Sequence, residues 1–391
     1  MNDSQKFLDK VEGKNIDFLI GSGASSDYIS TLSIGEKGNK HSIEDLLTAY
    51  NSQKMAQAFL KFLFFDSSVK NGLVSTTHIP EEAMDTLNSY KELIENMLTL
   101  SRHNGFERPK RTNIFTTNYD TFFEAAFDDI SLEHPLAFFN DGSRGFFTRE
   151  VSYENYYFNV THSGSIDTFR REIPSINLYK LHGSLSWSKI ILKDNQSIIT
   201  SSLKNGLLTK IKEESDTILK MLNQGNRIEI TDENVIEQYL STIESNEELK
   251  DELKTFEKDY SKLLIVSPTK RKFQETVFQK QYYQLLREFE NELQKDNTVL
   301  ICFGFSFKDE HILDLLKRSI SNPSLQIFII PYSKSDIEYI NSVLKGYTDV
   351  TFLKSPDTNE PGNFNVLNKF LEGVYGQWKQ LRWIRYQVSE S

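Results

Sequence analysis

Four places in this 391-residue chain put polar side chains directly after a short apolar run. The first is Gly21-Ser22-Gly23-Ala24-Ser25. Glycines after a strand allow close backbone approach and leave N–H groups to donate, which is what a diphosphate requires. A plain turn is the competing reading, and Ser26 stands where a full GxGxxG would carry its third glycine. The second is Thr116-Thr117-Asn118-Tyr119-Asp120. The Asn118 carboxamide can hold a ribose hydroxyl or a water, and the Asp120 carboxylate can order it. A helix cap at a strand-to-helix turn uses the same residue types. The third is His182-Gly183-Ser184, where an imidazole can act as a general base near neutral pH or simply bond within a turn. The fourth is Gly304-Phe305-Ser306, a ligand-lining turn or a bare strand terminator.

The elements that must carry these motifs alternate. Apolar runs at Ile16–Ile20, 113–117, 176–181, 263–267, 298–305 and 325–330 read as buried strands, with Thr351–Leu353 as a last short one. Helical spacing is found over 42–65, about 81–100, 122–127, 203–260, 273–294 and 311–320. Residues 133–176 are rich in Phe, Tyr, Gly and Ser without a clean period, so irregular structure with short strands is expected there. Continuous apolar strands alternating with helices predict an α/β fold: a Rossmann-like doubly wound parallel sheet covered on both faces. Its ligands would bind beyond the C-terminal strand ends, where all four motifs fall.

Bulk properties narrow the function. The net charge is −10, which disfavours a protein whose main task is gripping nucleic acid. A hydrophobic content of 38%, with 28 Phe and 17 Tyr, provides for a large core. The single cysteine, Cys302, can build neither a disulfide framework nor a zinc ribbon within one chain. The opening MNDSQKFLDK has no apolar signal core, and no apolar run approaches membrane-spanning length, so a cytoplasmic location is expected.

Other clusters receive blander readings. Asp309, Glu310 and His311 are read as opening a helix, where acids are favoured, and no metal site is expected. Lys270-Arg271-Lys272 reads as exposed loop charge, with a phosphate or anionic partner as the alternative. Trp378, Arg382 and Trp383 suggest a docking surface or a packed last helix.

Taken together and in this order, GSGAS, TTNYD, KLHGS and FGFSF resemble the motif set of the sirtuin superfamily: a GAG-type loop, a T-x-N-x-D segment, a catalytic His-Gly and a GTS-type turn. The likeness spans roughly residues 15–335. The chain departs from deacylating sirtuins in lacking their cysteine-rich zinc ribbon and the G-I-P-x-F-R stretch, in place of which stands SSDYISTLSIG. In this it resembles bacterial sirtuin-like NADases of anti-phage defence, such as the Thoeris effector and the sirtuin-like partners of HerA-type ATPases or short Argonautes.

The resemblance implies an NAD+ hydrolase that cleaves the nicotinamide–ribose bond to give nicotinamide and ADP-ribose. It assigns catalysis to Asn118 and His182, and NAD+ contacts to Gly21, Ser22, Gly23, Ala24, Ser25, Thr117, Asp120, Gly304 and Ser306. A regulatory subunit that binds NAD or ADP-ribose with little catalysis is the alternative. The expected organisation is a catalytic domain over 1–335 with helical insertions near 42–110 and 190–260, followed by a C-terminal segment, 336–391, packed on the core or on a partner. Since no appended sensor is recognisable, restraint by homo-oligomer assembly or by a HerA-like ATPase partner is expected. Direct nucleic-acid or membrane binding is not.

Overall fold

In the computed structural model the described residues run from 7 to 372, without 8–9, 12, 32, 35–40, 78, 104–109, 166–169, 193–196, 224–227, 229–232, 269–279, 346, 348 and 355–360. The Lys270-Arg271-Lys272 cluster and Trp378, Arg382 and Trp383 lie outside them.

Seven strands make one wholly parallel sheet. In chain order they are β1 (Asn15–Ile20), β2 (Arg111–Thr116), β3 (Phe138–Asn140), β4 (Ser175–Lys180), β5 (Thr298–Phe303), β6 (Gln326–Ile330) and β7 (Val350–Phe352). Their spatial order is β7-β6-β5-β1-β2-β4-β3. The chain leaves β1 toward β2 on one side and later returns through β5 on the other. The order therefore reverses beside β1, which opens the crevice where such sheets bind ligands.

The strands are apolar on both faces because both faces are covered. Along β1, Ile16, Phe18 and Ile20 enter one core and Leu19 the other. Along β5, Val299, Ile301 and Phe303 take the first side, and Leu300 and Cys302 the second. This is the two-residue period of a strand written into two hydrophobic layers. The first layer is closed by α1 (Met84–His103), α2 (Phe122–Ile130) and the buried Val366, Leu367, Phe370 and Leu371. The second is closed by α3 (Lys280–Leu293) and α4 (Glu310–Ser319). Cys302 is buried there, and burial pushes its thiol pKa up.

A separate helical core gathers Ile43–Ala49, Lys54–Phe64, Gly206–Asn223, Glu233–Ser245 and Glu247–Tyr260. Met84–His103, by contrast, packs against α2 on the sheet. Three local expectations differ from the structure. The helical pattern over 42–65 is broken at residues 50–53, between Ala49 and Lys54. Trp187–Ile191 pairs antiparallel with Ser197–Ser201, two strands at the start of what the sequence reads as a helical insertion. The apolar run 263–267 is no sheet strand. It makes one antiparallel bridge, Gly183 to Ile265, as it crosses the sheet end. Its apolar side chains are buried by bridging two cores: Leu263 sits in the helical core, and Leu264 packs on the sheet's second layer. No helix among the described residues is long and apolar enough to cross a membrane.

Candidate active site

The four motifs meet in one cleft at the C-terminal ends of β1, β2, β4 and β5. Its empty space is about 660 Å³, open in part to solvent. Ser22 and Ser25 come from the first motif, Thr117, Asn118, Tyr119 and Asp120 from the second, His182 from the third, and Gly304, Phe305 and Ser306 from the fourth. Phe64 and Ser68 line it from the helical core.

Gly21, Gly23 and Ala24 do not line the cleft, which departs from the expected diphosphate cradle. The Gly21 N–H donates to Phe303 O, Gly23 N–H to Gly304 O and Ala24 N–H to Gly21 O. The glycines serve the crossing of two strand ends: a Cβ on Gly21 would lie 2.5 Å from Gly304 O, and one on Gly23 2.8 Å from Gly304 Cα. Gly304 itself has φ +64° and would place a Cβ 2.4 Å from Ala24 N. Close approach is indeed why glycine is needed here, but the approaching group is the other loop.

Asn118 is fixed from beneath. Its backbone N–H donates to the Thr116 hydroxyl, and Thr116 in turn donates to Ile20 O. The Asn118 Nδ2 donates to Ser25 Oγ at 3.3 Å and to the Tyr90 hydroxyl at 3.4 Å. Its Oδ1 is buried and accepts no hydrogen bond among the described residues. A buried acceptor without a donor costs about 1–3 kcal/mol, so this oxygen is set to receive a hydroxyl or N–H from a ligand.

Asp120 is held at both oxygens. Oδ2 accepts from Ser25 Oγ at 2.8 Å and Oδ1 from the Phe122 N–H at 3.2 Å. It ties the β1 loop to the start of α2. Below it, the buried Lys180 ammonium donates to Asp120 O and pairs with Glu124 at 3.4 Å. Burial pushes the Glu124 carboxyl up to about 6, against the lowering pull of Lys180.

His182 is 2% exposed. Its carbonyl accepts from the Val266 N–H at 2.8 Å, so the crossing segment 263–267 braces the turn. Gly183 is left-handed, φ +84°, and a Cβ there would meet Leu264 O at 2.0 Å. Tyr119 stands beside the imidazole, ring centroids 6.4 Å apart, and its hydroxyl donates to Val266 O at 2.6 Å. The other face of His182 meets α4. His182 Nε2 lies 3.1 Å from His311 Nε2 and 3.9 Å from Asp309 Oδ1.

Several contributors were not assigned a role from sequence. Tyr90 sits in an amphipathic helix with no local motif. Burial pushes its phenol well up, so it stays a neutral partner for Ser25 and Asn118. Lys180 did leave a signal: the one charged residue in the strand Ser175–Lys180. From sequence alone, Asp309 and His311 read as a helix start. Asp309 is indeed the N-cap of α4, but the fold also turns both toward His182.

The arrangement puts an imidazole and a carboxamide acceptor in one cleft, with hydroxyls of Ser22, Ser25 and Ser306 along it. Those groups fit a ligand rich in hydroxyl and phosphate oxygens, such as a dinucleotide. Compared with curated proteins, the chain has no match. The family profile described as "SIR2-like domain" matches residues 112–348, from β2 to just short of β7, and so takes in Asn118, Asp120, His182 and Gly304. The β1 loop lies ahead of the matched residues, yet the sheet returns it to the same cleft. With more than half of its length matched, the chain belongs to the SIR2-like domain family.

Proposed function

We propose that the protein is an NAD+ glycohydrolase, releasing nicotinamide and ADP-ribose. One observation carries the reading: the unpartnered Asn118 Oδ1 and the His182 imidazole line the same cleft, in a SIR2-like chain. Nicotinamide leaves as a neutral group from a cationic substrate, so the ribose carbon develops oxocarbenium character. The residues must then hold the ribose, favour positive charge and deliver water. Asn118 holds the ribose or the attacking water through Oδ1. His182 takes the proton from a ribose hydroxyl or from that water, which is general-base help worth about 10²–10⁴-fold. Asp120, already bonded to Ser25 and the α2 amide, orders the wall between them and lends negative charge nearby. Ser22, Ser25, Thr117, Gly304 and Ser306 line the remaining NAD+ surface. Gly21, Gly23 and Ala24 shape that surface from behind.

Deacylation is the weaker reading, because one cysteine cannot build the zinc ribbon of deacylating sirtuins. The resemblance to bacterial defence NADases supports a role in anti-phage NAD+ depletion in the cytoplasm. It also supports restraint through homo-oligomer assembly or a HerA-like ATPase. The test is direct. Purified protein, alone and with the product of a neighbouring gene, is incubated with NAD+ while nicotinamide and ADP-ribose are followed. Release that depends on Asn118 and His182 supports the proposal. Tight NAD+ binding with no release in any condition would instead mark a regulatory binding subunit. A constitutively active monomer without a stable partner would remove the restraint.

A further inference from the structure

We propose that His182, Asp309 and His311 form a binding site for one divalent transition-metal ion of the Zn²⁺ class. The three come from two separate strand ends: His182 follows β4, and Asp309 and His311 open α4 after β5. Their donor atoms lie within 4.8 Å of one another. The two Nε2 atoms are 3.1 Å apart, and Asp309 Oδ1 is 3.9 Å from His182 Nε2. A doubly charged ion satisfies all three donors at once.

The spacing suits this. Around Zn²⁺ at about 2.0–2.1 Å, tetrahedral donors sit roughly 3.3 Å apart. The histidine pair already has about that separation, while Asp309 Oδ1 stands 3.9 Å from His182 Nε2 and the three ligand atoms lie within 4.8 Å of one another, so the carboxylate must close in by up to about 1.5 Å. Two imidazoles with one carboxylate select Zn²⁺, Ni²⁺, Co²⁺ or Cu²⁺ over Mg²⁺ or Ca²⁺, which favour oxygen-only shells. The histidines are 2% and 7% exposed, so the ion is largely desolvated on that side. His182 and Asp309 both line the cleft, which provides the entry path and leaves room for water on the ion. This trio shares nothing with a cysteine ribbon.

The consequence for the active site rests on the NAD+ hydrolysis proposed above, whereas the binding does not. A neutral imidazole with one nitrogen on an ion and a proton on the other has no lone pair left. Bound metal therefore silences His182 as a base, and the cleft becomes a metal-inhibited one.

Metal-stripped full-length protein should be titrated with Zn²⁺ by calorimetry, and with Co²⁺ by visible absorption. One ion per chain is expected, with affinity falling at least about tenfold in both His311→Phe and Asp309→Asn. The first keeps a ring in the buried position and the second keeps side-chain shape, so circular dichroism should show both folded. Absence of stoichiometric binding, or binding that survives both substitutions, overturns the site. Saturating Zn²⁺ is expected to abolish NAD+ cleavage, and undiminished cleavage would overturn the silencing of His182. A metal-free enzyme that cleaves no NAD+ counts against the reaction, while calorimetry still decides the site.

Discussion

At the scale of single residues, the site separates groups that do chemistry from groups that hold the walls. His182→Ala should cut turnover by about 10²–10⁴-fold in a chain that still folds, with some loss of stability because the buried imidazole bonds to His311 on α4. Asp120→Ala should cost more stability. Both carboxylate oxygens bond within the protein, to Ser25 and to the Phe122 N–H, so the loss should destabilise the fold by about 1–3 kcal/mol as well as lower activity. Urea unfolding of the two variants side by side checks the contrast. A second residue-scale prediction lies away from the cleft. Asp17, in mid-β1, is 1% exposed. Burial first, then the nearby Glu292, push its carboxyl up to about 8, despite the hydrogen bond from Asn113. The folded state thus keeps a proton that the unfolded chain releases near its ordinary value of 3.8. Asp17 therefore withdraws stability as pH rises from about 4 through 8. Asp17→Asn should remove that loss, so that the variant gains on the wild type between pH 6 and 8.5. An unchanged difference across that range would contradict the protonated state of Asp17.

At the scale of elements, the strands were the readable part. β1, β4, β5 and β6 are apolar runs ending in Gly, His or Pro, and each lies within a residue or two of its expected position. Parallel pairing under two helical layers leaves no polar face to blur the pattern. The run 263–267 failed for an instructive reason. Burial alone makes a segment apolar, and this one is buried by crossing from one core to another rather than by pairing along the sheet. The motif residues were readable because they follow strand ends, but their division of labour was not. Nothing in GSGAS says that the Gly21, Gly23 and Ala24 amides bond to Phe303, Gly304 and Gly21, and nothing in FKDEH says that helix α4 turns His311 onto His182. Such facts depend on pairing between β1 and β5, nearly 300 residues apart in the chain. The crossing of the two loops carries its own prediction. Gly304→Ala forces a side chain into φ +64° and against Ala24 N, so it should cost about 1–3 kcal/mol or more and weaken NAD+ binding with it. A melting curve and an NAD+ titration matching the wild type would show that the crossing does not shape the cleft.

At the scale of the whole molecule, the cleft has two kinds of wall. The sheet supplies the strand-end motifs, and the helical core supplies Phe64 and Ser68 from the end of helix Lys54–Phe64 and the π-turn after it. A bulky residue at the half-buried Ser68 should narrow the cleft, raising KM for NAD+ roughly tenfold with a smaller change in kcat, since uniform binding and not the chemical step is disturbed. Steady-state kinetics of Ser68→Trp would show it, and an unaltered KM would place NAD+ away from this wall. The helical core also accounts for why the chain is long for one sheet: it is a second hydrophobic unit whose edge completes the site.

Nicotinamide release by wild type, Asn118→Ala and His182→Ala under identical conditions decides whether the two side chains together cleave NAD+. Release is expected from the wild type, in its activating assembly if one is needed, with a loss of about 10²-fold or more in each folded variant. Release by either variant at the wild-type rate would show that the two side chains do not carry the reaction.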